Sequence, residues 1–121
     1  PMKITIVDDD MDLIAAMTAI LEAAGHDISS EATATTAISH IVRRRPDCVL
    51  TDLMMAQMNG LALCEELRAK PELGDLKIIV VSGQASEYWQ DQAQKAGADG
   101  YIVKPIDVAT FASEVEQIVG G

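Results

Sequence analysis

The sequence predicts a doubly wound parallel α/β fold, and three observations carry that reading. Strand-like apolar runs alternate five times with helix-like patterns along 121 residues, as βα units with right-handed crossovers require. The runs at 3–7, 47–51 and 77–81 are almost continuously apolar, which marks strands covered on both faces. Four of the five runs also stop at a residue able to bind or transfer charge: Asp8-Asp9, Asp52, Ser82 and Lys104.

The elements follow in order. Residues 3–7 form a short apolar strand. Asp10 can cap a helix running to residue 24, because its carboxylate accepts from the free amides of the first turn. Leu13, Ile14, Met17, Ile20 and Leu21 make one apolar stripe on that helix. Gly25 ends it in the left-handed conformation. Residues 26–32 read as a weak strand, suited to a sheet edge. Residues 35–45 form a helix with Ala37, Ile38, Ile41 and Val42 inward. Pro46 stops it, since proline lacks an amide hydrogen and clashes with the preceding turn. Residues 47–51 are the third strand. A loop at 53–60 leads to a helix near 61–69, then a turn at 71–76. Residues 77–81 are the fourth strand. A helix at 86–96 is closed by Gly97, and 100–103 is the fifth strand. Asp107 is placed to cap the last helix, with Ile106 and Phe111 where a hydrophobic staple would join.

Composition narrows the function. Hydrophobic residues are 49% of the chain, enough for a packed core. Aromatics are only 3%, leaving few rings to stack on a flavin or a base. Nineteen acidic residues against nine basic give a net charge of -10, which repels nucleic acid and anionic membrane. The balance suits a basic protein partner or a metal ion. The run Arg43-Arg44-Arg45 reads as a helix C-terminus, where the dipole favours cations. Cys48 and Cys64 have no disulfide or metal spacing and read as small buried hydrophobes in a reducing cytosol. No signal-like segment and no apolar stretch of about 20 residues is present, so an intracellular location and no membrane contact are expected. A single domain over 1–121 is expected, without an output domain in this chain.

The strand-end residues carry the chemistry. Carboxyl ends of parallel strands line one edge, and ligands bind there. Asp8 and Asp9 lie side by side, and like charges at short range need a cation between them. Mg²⁺ fits, since it takes oxygen ligands, keeps waters and accepts a phosphate oxygen. A carboxylate such as Asp52 can attack phosphorus and form an acyl phosphate. Ser82 can donate to a phosphoryl oxygen, and Lys104 can pair with it as a point charge. Any one of these residues could merely close a turn. Asp10 suffices as the helix cap, however, which leaves Asp8 and Asp9 with no structural role.

With these residues in place, the chain resembles the receiver domain of two-component response regulators. The resemblance rests on Ile6-Val7-Asp8-Asp9-Asp10, on Asp52-Leu53-Met54-Met55 with Met58-Asn59-Gly60, and on Ile79-Val80-Val81-Ser82-Gly83. Gly97-Ala98-Asp99-Gly100-Tyr101 and Lys104-Pro105 complete it. It implies a flavodoxin-like (βα)5 fold with sheet order 2-1-3-4-5 and helices on both faces. It implies that Asp52 accepts a phosphoryl group from the phospho-histidine of a sensor histidine kinase or phosphotransfer protein. Mg²⁺, or Mn²⁺ in its place, would be held by Asp9, Asp52 and the backbone carbonyl of Met54, with Asp8 acting largely through water. Ser82 takes the family's hydroxyl role, Lys104 contacts the phosphoryl group, and Tyr101 is the aromatic switch. The face of the fourth helix, fifth strand and fifth helix would then change its preference for an output partner or a second copy. The domain would be a regulatory phosphoacceptor of a bacterial cytoplasm, catalysing only its own phosphorylation and dephosphorylation, with no direct nucleic-acid binding.

Some positions depart from that family pattern. Ala56 stands where proline is usual, adding unfolded-state entropy worth about 0.4–1 kcal/mol. Ser82 replaces the commoner threonine, and Gly83 loosens the segment after it. Met54 and Gln84 occupy the variable positions that tune phosphoryl lifetime in the family. An apolar Met54 cannot orient an attacking water, so slow autodephosphorylation is expected. Adjacent Tyr88 and Trp89 cannot both face the core, and one is expected exposed on the output face. His26 and His40 lack a partner motif and are expected at the surface.

Two other classes compete. A phosphate-independent binding module would be favoured by loss of Asp52, Lys104 or the acidic pair, and none is lost. A flavin carrier on this fold would want a hydroxyl-rich phosphate loop where Asp8-Asp9-Asp10 stands. A phosphatase could use Asp8 with Asp10 two residues on, but the capping role of Asp10 and the Asp52 site weigh against it.

Overall fold

The computed structural model of the chain describes residues 1–56 and 58–121. Five strands, β1 (Lys3–Val7), β2 (Asp27–Glu31), β3 (Cys48–Thr51), β4 (Lys77–Ser82) and β5 (Gly100–Val103), alternate with five helices. The helices are α1 (Met11–Ala23), α2 (Ala34–Arg44), α3 (Gly60–Arg68), α4 (Glu87–Ala96) and α5 (Phe111–Gly120). A 3₁₀ turn at Pro71–Leu73 precedes β4. The strands form one parallel sheet in the order β2-β1-β3-β4-β5, the order that the family resemblance implies. The expected 53–60 loop connects β3 to α3, and its Gln57 lies outside the described residues.

Strand alternation divides the core into two layers. Val7, Val49, Ile78 and Val80 point to one face, where Ala37 and Ile41 of α2, Leu63 and Leu67 of α3, and Ala93 of α4 cover them. Ile4, Ile6, Leu50, Ile79, Val81 and Ile102 point to the other, beneath Ile14, Met17 and Leu21 of α1 and Phe111 and Val115 of α5. Cys48 and Cys64 are both buried, one in each layer.

Local chemistry sets most boundaries. Asp10 caps α1 through the amide of Leu13, and Asn59 caps α3 through that of Ala62. After α1, Gly25 is left-handed (φ 94°), with Gly25 N–H to Glu22 O and His26 N–H to Leu21 O. That pair of bonds is the glycine-ended cap read from the sequence. Three boundaries differ from expectation. The second helix starts at Ala34 and not at 35, and Thr33 caps it by accepting from the Thr36 amide. Arg45 leaves the helix to take the left-handed cap itself, held by bonds from its guanidinium to the carbonyls of Val42 and Glu72. Asp107 does not cap α5. Its carboxylate accepts from the Ala109 amide in a preceding turn, and α5 starts at Phe111. Ile106 still packs in the layer that contains Phe111, where the staple was expected.

Two histidines also depart from expectation. His26 is nearly enclosed: its Nδ1 accepts from Met2 N–H at 3.0 Å and its Nε2 bonds Glu116 of α5 at 2.8 Å. His40 is half-buried and bridges Ser29 and Glu31 of β2 at 3.0 Å each. Both ties join residues far apart in sequence or packed across elements, which no local pattern reports.

Phe111, the chain's one phenylalanine, is fully buried between α5 and the sheet. Phe111→Ala removes its ring contacts and leaves a cavity, for a destabilisation of about 3–5 kcal/mol. The urea midpoint checks this, and a loss under 1 kcal/mol would mean that the α5 layer is not packed as described.

Candidate functional site

The strand register assembles the site. Val7 of β1 pairs with Thr51 of β3, so the residues that follow, Asp8 and Asp52, emerge side by side. The Asp52 amide donates to the Val7 carbonyl at 3.0 Å and continues that pairing. Ser82 of β4 pairs with Val103 of β5, so Lys104 leaves the sheet next to Ser82, its amide bonded to the Ser82 carbonyl at 2.8 Å.

Asp8, Asp9 and Asp52 bring carboxylate oxygens within 4.8 Å of one another. Asp8 is only 1% exposed. Its Oδ1 accepts from the Asp10 amide at 2.9 Å, and its Oδ2 meets Lys104 Nζ at 3.2 Å. Lys104 Nζ also reaches Asp52 Oδ1 at 3.3 Å, and the Leu53 amide donates to the same oxygen at 2.9 Å. Asp9 is exposed at the rim of the crevice.

The chain beyond Asp52 is fixed by a close approach. Gly60 N–H donates to the Leu53 carbonyl at 2.7 Å. A Cβ on Gly60 would collide with the Asp52 carbonyl oxygen, so only glycine lets α3 start against this backbone. The motif Met58-Asn59-Gly60 does not reveal this role by itself, because it needs two segments to meet in space.

The Ser82 hydroxyl is nearly buried and accepts from the Gln84 amide at 3.1 Å. The Tyr101 hydroxyl donates to the Gln84 carbonyl at 2.6 Å. Gln84 therefore links the hydroxyl at the crevice to the half-buried ring on β5. That link runs through backbone atoms, so no side-chain motif announces it. Met54 lies two residues past Asp52 and is 47% exposed. On α4, Tyr88 is exposed while Trp89 packs against the core, with the two rings edge to face at 5.1 Å.

The electrostatics are those of an under-neutralised anion cluster. Burial pushes the Asp52 carboxyl above the ordinary aspartate value, and the Asp8 charge adds to this, against the opposing pull of Lys104. Burial works against the Lys104 ammonium, yet the two carboxylates together hold its pKa above the ordinary lysine value. The two shifts agree once charges are counted: one cation gains from two anions, while each anion shares one cation and repels its neighbour. Three clustered oxygen donors with too little positive charge are the donor set that a hard divalent cation satisfies. Asp8, Asp9 and Asp52 fit Mg²⁺ by that criterion.

A family model described as the response regulator receiver domain matches residues 4–116. The chain is 34% identical over 113 residues to the DNA-binding response regulator MtrA of Mycolicibacterium paratuberculosis, covering 93% of this chain and 49% of that protein. It is 26% identical over 117 residues to the DNA-binding dual master transcriptional regulator RpaA of Synechocystis, covering 97% of this chain and 48% of that one. The chain thus spans about half the length of these relatives. Among solved structures, a CheY-like response regulator receiver domain protein from Methanospirillum hungatei superposes with a TM-score of 0.89 at 29% identity, over 98% of this chain and 93% of that one. Among the described residues no helix is long and apolar enough to cross a membrane.

The raised Asp52 carboxyl predicts a pH effect. Ionising Asp52 costs more in the folded than in the unfolded chain. The cost is absent below the unfolded value near pH 4 and fully present once pH exceeds the folded value. Without divalent cations, Asp52→Asn is expected to raise the thermal midpoint at pH 7, with the gain shrinking toward zero near pH 3. A gain of equal size at both pH values would contradict the charge-based account.

Proposed function

The chain belongs to the response regulator receiver domain family, and from that membership we propose that it is a phosphorylation-controlled switch with Asp52 as its phosphoacceptor. The observation that carries the proposal is the cluster of Asp8, Asp9 and Asp52 carboxylates, two of which, Asp8 and Asp52, are bridged by Lys104 Nζ. The donor is a phospho-histidine of a sensor histidine kinase or phosphotransfer protein. A receiver of this kind works in the bacterial cytoplasm.

The Asp52 carboxylate oxygen attacks phosphorus in line with the bond to the donor imidazole. The new O–P bond forms as the N–P bond breaks, and the electron pair returns to the imidazole nitrogen, which takes up a proton. Asp9, Asp52 and the Met54 carbonyl would hold Mg²⁺, with Asp8 acting through water, and an ion bound there would neutralise charge on the transferring oxygens. Lys104 gives up its bridge between Asp8 and Asp52 to pair with the phosphoryl group, and the Ser82 hydroxyl donates to another phosphoryl oxygen.

The switch follows from the Gln84 link. Drawing Ser82 toward the phosphoryl group disturbs its bond from the Gln84 amide, and Gln84 in turn holds the Tyr101 hydroxyl. The phosphoryl group thereby biases two arrangements of the face formed by α4, β5 and α5. That face engages the output partner or a second copy, with exposed Tyr88 as an anchor.

Purified protein incubated with acetyl phosphate or phosphoramidate is expected to gain the mass of one phosphoryl group with Mg²⁺, and none with chelator or in Asp52→Asn. Trp89 fluorescence should change with the mass. No gain from either donor in folded protein would turn the assignment to a phosphate-independent binding module. Met54→Asn, which places an amide able to hold water near the acyl phosphate, is expected to shorten the phosphoryl half-life severalfold. An unchanged half-life would remove Met54 from the control of lifetime.

A further inference from the structure

We propose that Met54 is a reversible oxidation site through which a peroxide-class oxidant shortens the lifetime of the phosphoryl group on Asp52. The inference rests on the phosphoacceptor reading above and extends it to a second chemical input.

The sulfur atoms of the chain are sorted by access. Cys48 and Cys64 are fully enclosed, and burial pushes their thiols up to about 12 and about 11. Oxidants attack the thiolate of an accessible cysteine, so neither is a target. Of six methionines, Met17 is 1% exposed in the core, and Met2, Met55 and Met58 pack partly buried against the two layers. Met11 and Met54 stand out at 63% and 47% exposed. They lie at the start of α1 and in the β3–α3 connection, just after Asp8-Asp9 and Asp52 respectively. The oxidisable sulfur of this domain is therefore concentrated at the phosphoacceptor edge.

The step is a two-electron transfer. A sulfur lone pair attacks one peroxide oxygen, and an S–O bond forms as the O–O bond breaks. The thioether is oxidised to the sulfoxide while the peroxide is reduced to water. A methionine sulfoxide reductase with a thiol reductant reverses it. The change converts an apolar side chain into one with a strong hydrogen-bond acceptor, two residues from the acyl phosphate. A thioether cannot orient a water against phosphorus, whereas a sulfoxide oxygen can accept from that water and hold it. Met54→Gln, which carries a polar oxygen on a chain of similar length, mimics the oxidised state.

The test compares the whole chain before and after limited hydrogen peroxide treatment. Peptide mass mapping is expected to show an added oxygen on Met11 and Met54 well before Met17, with both thiols still free. Phosphorylation with acetyl phosphate and Mg²⁺ should then show a phosphoryl half-life several times shorter in the oxidised protein, restored by the reductase. The oxidant-dependent change should persist in Met11→Leu and vanish in Met54→Leu. A half-life that oxidation does not alter, or a change that survives in Met54→Leu, would overturn this inference alone. Failure of the untreated protein to accept phosphate would overturn the phosphoacceptor reading and this inference with it.

Discussion

Asp8 and Asp52 share one ammonium at the carboxyl edge of the sheet, with the Asp9 carboxylate beside them, and the electrostatics of this domain depend on that imbalance. Lys104 touches Asp8 and Asp52 together, and among the described residues no other side-chain cation pairs with either. A buried carboxylate without full compensation is costly. On the proposed reading that cost is met by charge that comes and goes: a divalent cation would bring positive charge, and a phosphoryl group would then give Lys104 a new partner. Both events would redistribute the same few hydrogen bonds. A site already neutral would have no such sensitivity.

The opposite edge of the sheet is built by a different rule. There, charged side chains are spent on backbone groups that have two partners to tie. The Arg68 guanidinium donates to the carbonyls of Gly97 and Leu76 and to the Asp99 carboxylate, and the same Asp99 oxygen accepts from the Ile78 amide. Asp47 accepts from the Lys3 amide, and His26 joins the first residues of the chain to α5. The Arg68 and Asp99 bonds tie α3, the start of β4 and the α4–β5 turn to one another, while His26 ties the α1–β2 connection to the first residues and to α5.

Met54 and Gly60 show how finely the β3–α3 connection is specified. Gly60 must lack a side chain so that α3 can begin against the Asp52 backbone. Met54, between them, is left at the surface. The connection thus combines one position with no steric freedom and one whose chemistry is open to solvent. The first fixes the backbone at Asp52, and the second leaves a thioether open to solvent two residues on.

Much of this was legible in the residues themselves. Periodicity identified all five βα units, because a strand covered on both faces must be apolar throughout and a helix on a sheet must be apolar on one stripe. Asp8, Asp9, Asp52, Ser82 and Lys104 were legible because each closes an apolar run, and parallel strands bring their carboxyl ends to one edge. Boundaries were less legible where several residues compete to cap, as at Thr33 and Asp107. Hydrogen-bond geometry chooses among them, and that depends on how the segment packs. His26 and His40 were misread as surface residues because their partners, Met2 with Glu116 and Ser29 with Glu31, meet them only through packing. What the sequence determined by itself was therefore the kinds of element, their order and the residue types at each strand end, all of which are local. Only the tertiary structure decided that Lys104 bridges Asp8 and Asp52, that Gln84 joins Ser82 to Tyr101, and which sulfur atoms meet solvent. Those are matters of distance and burial between segments far apart along the chain, and they exist only once the register of the sheet is set.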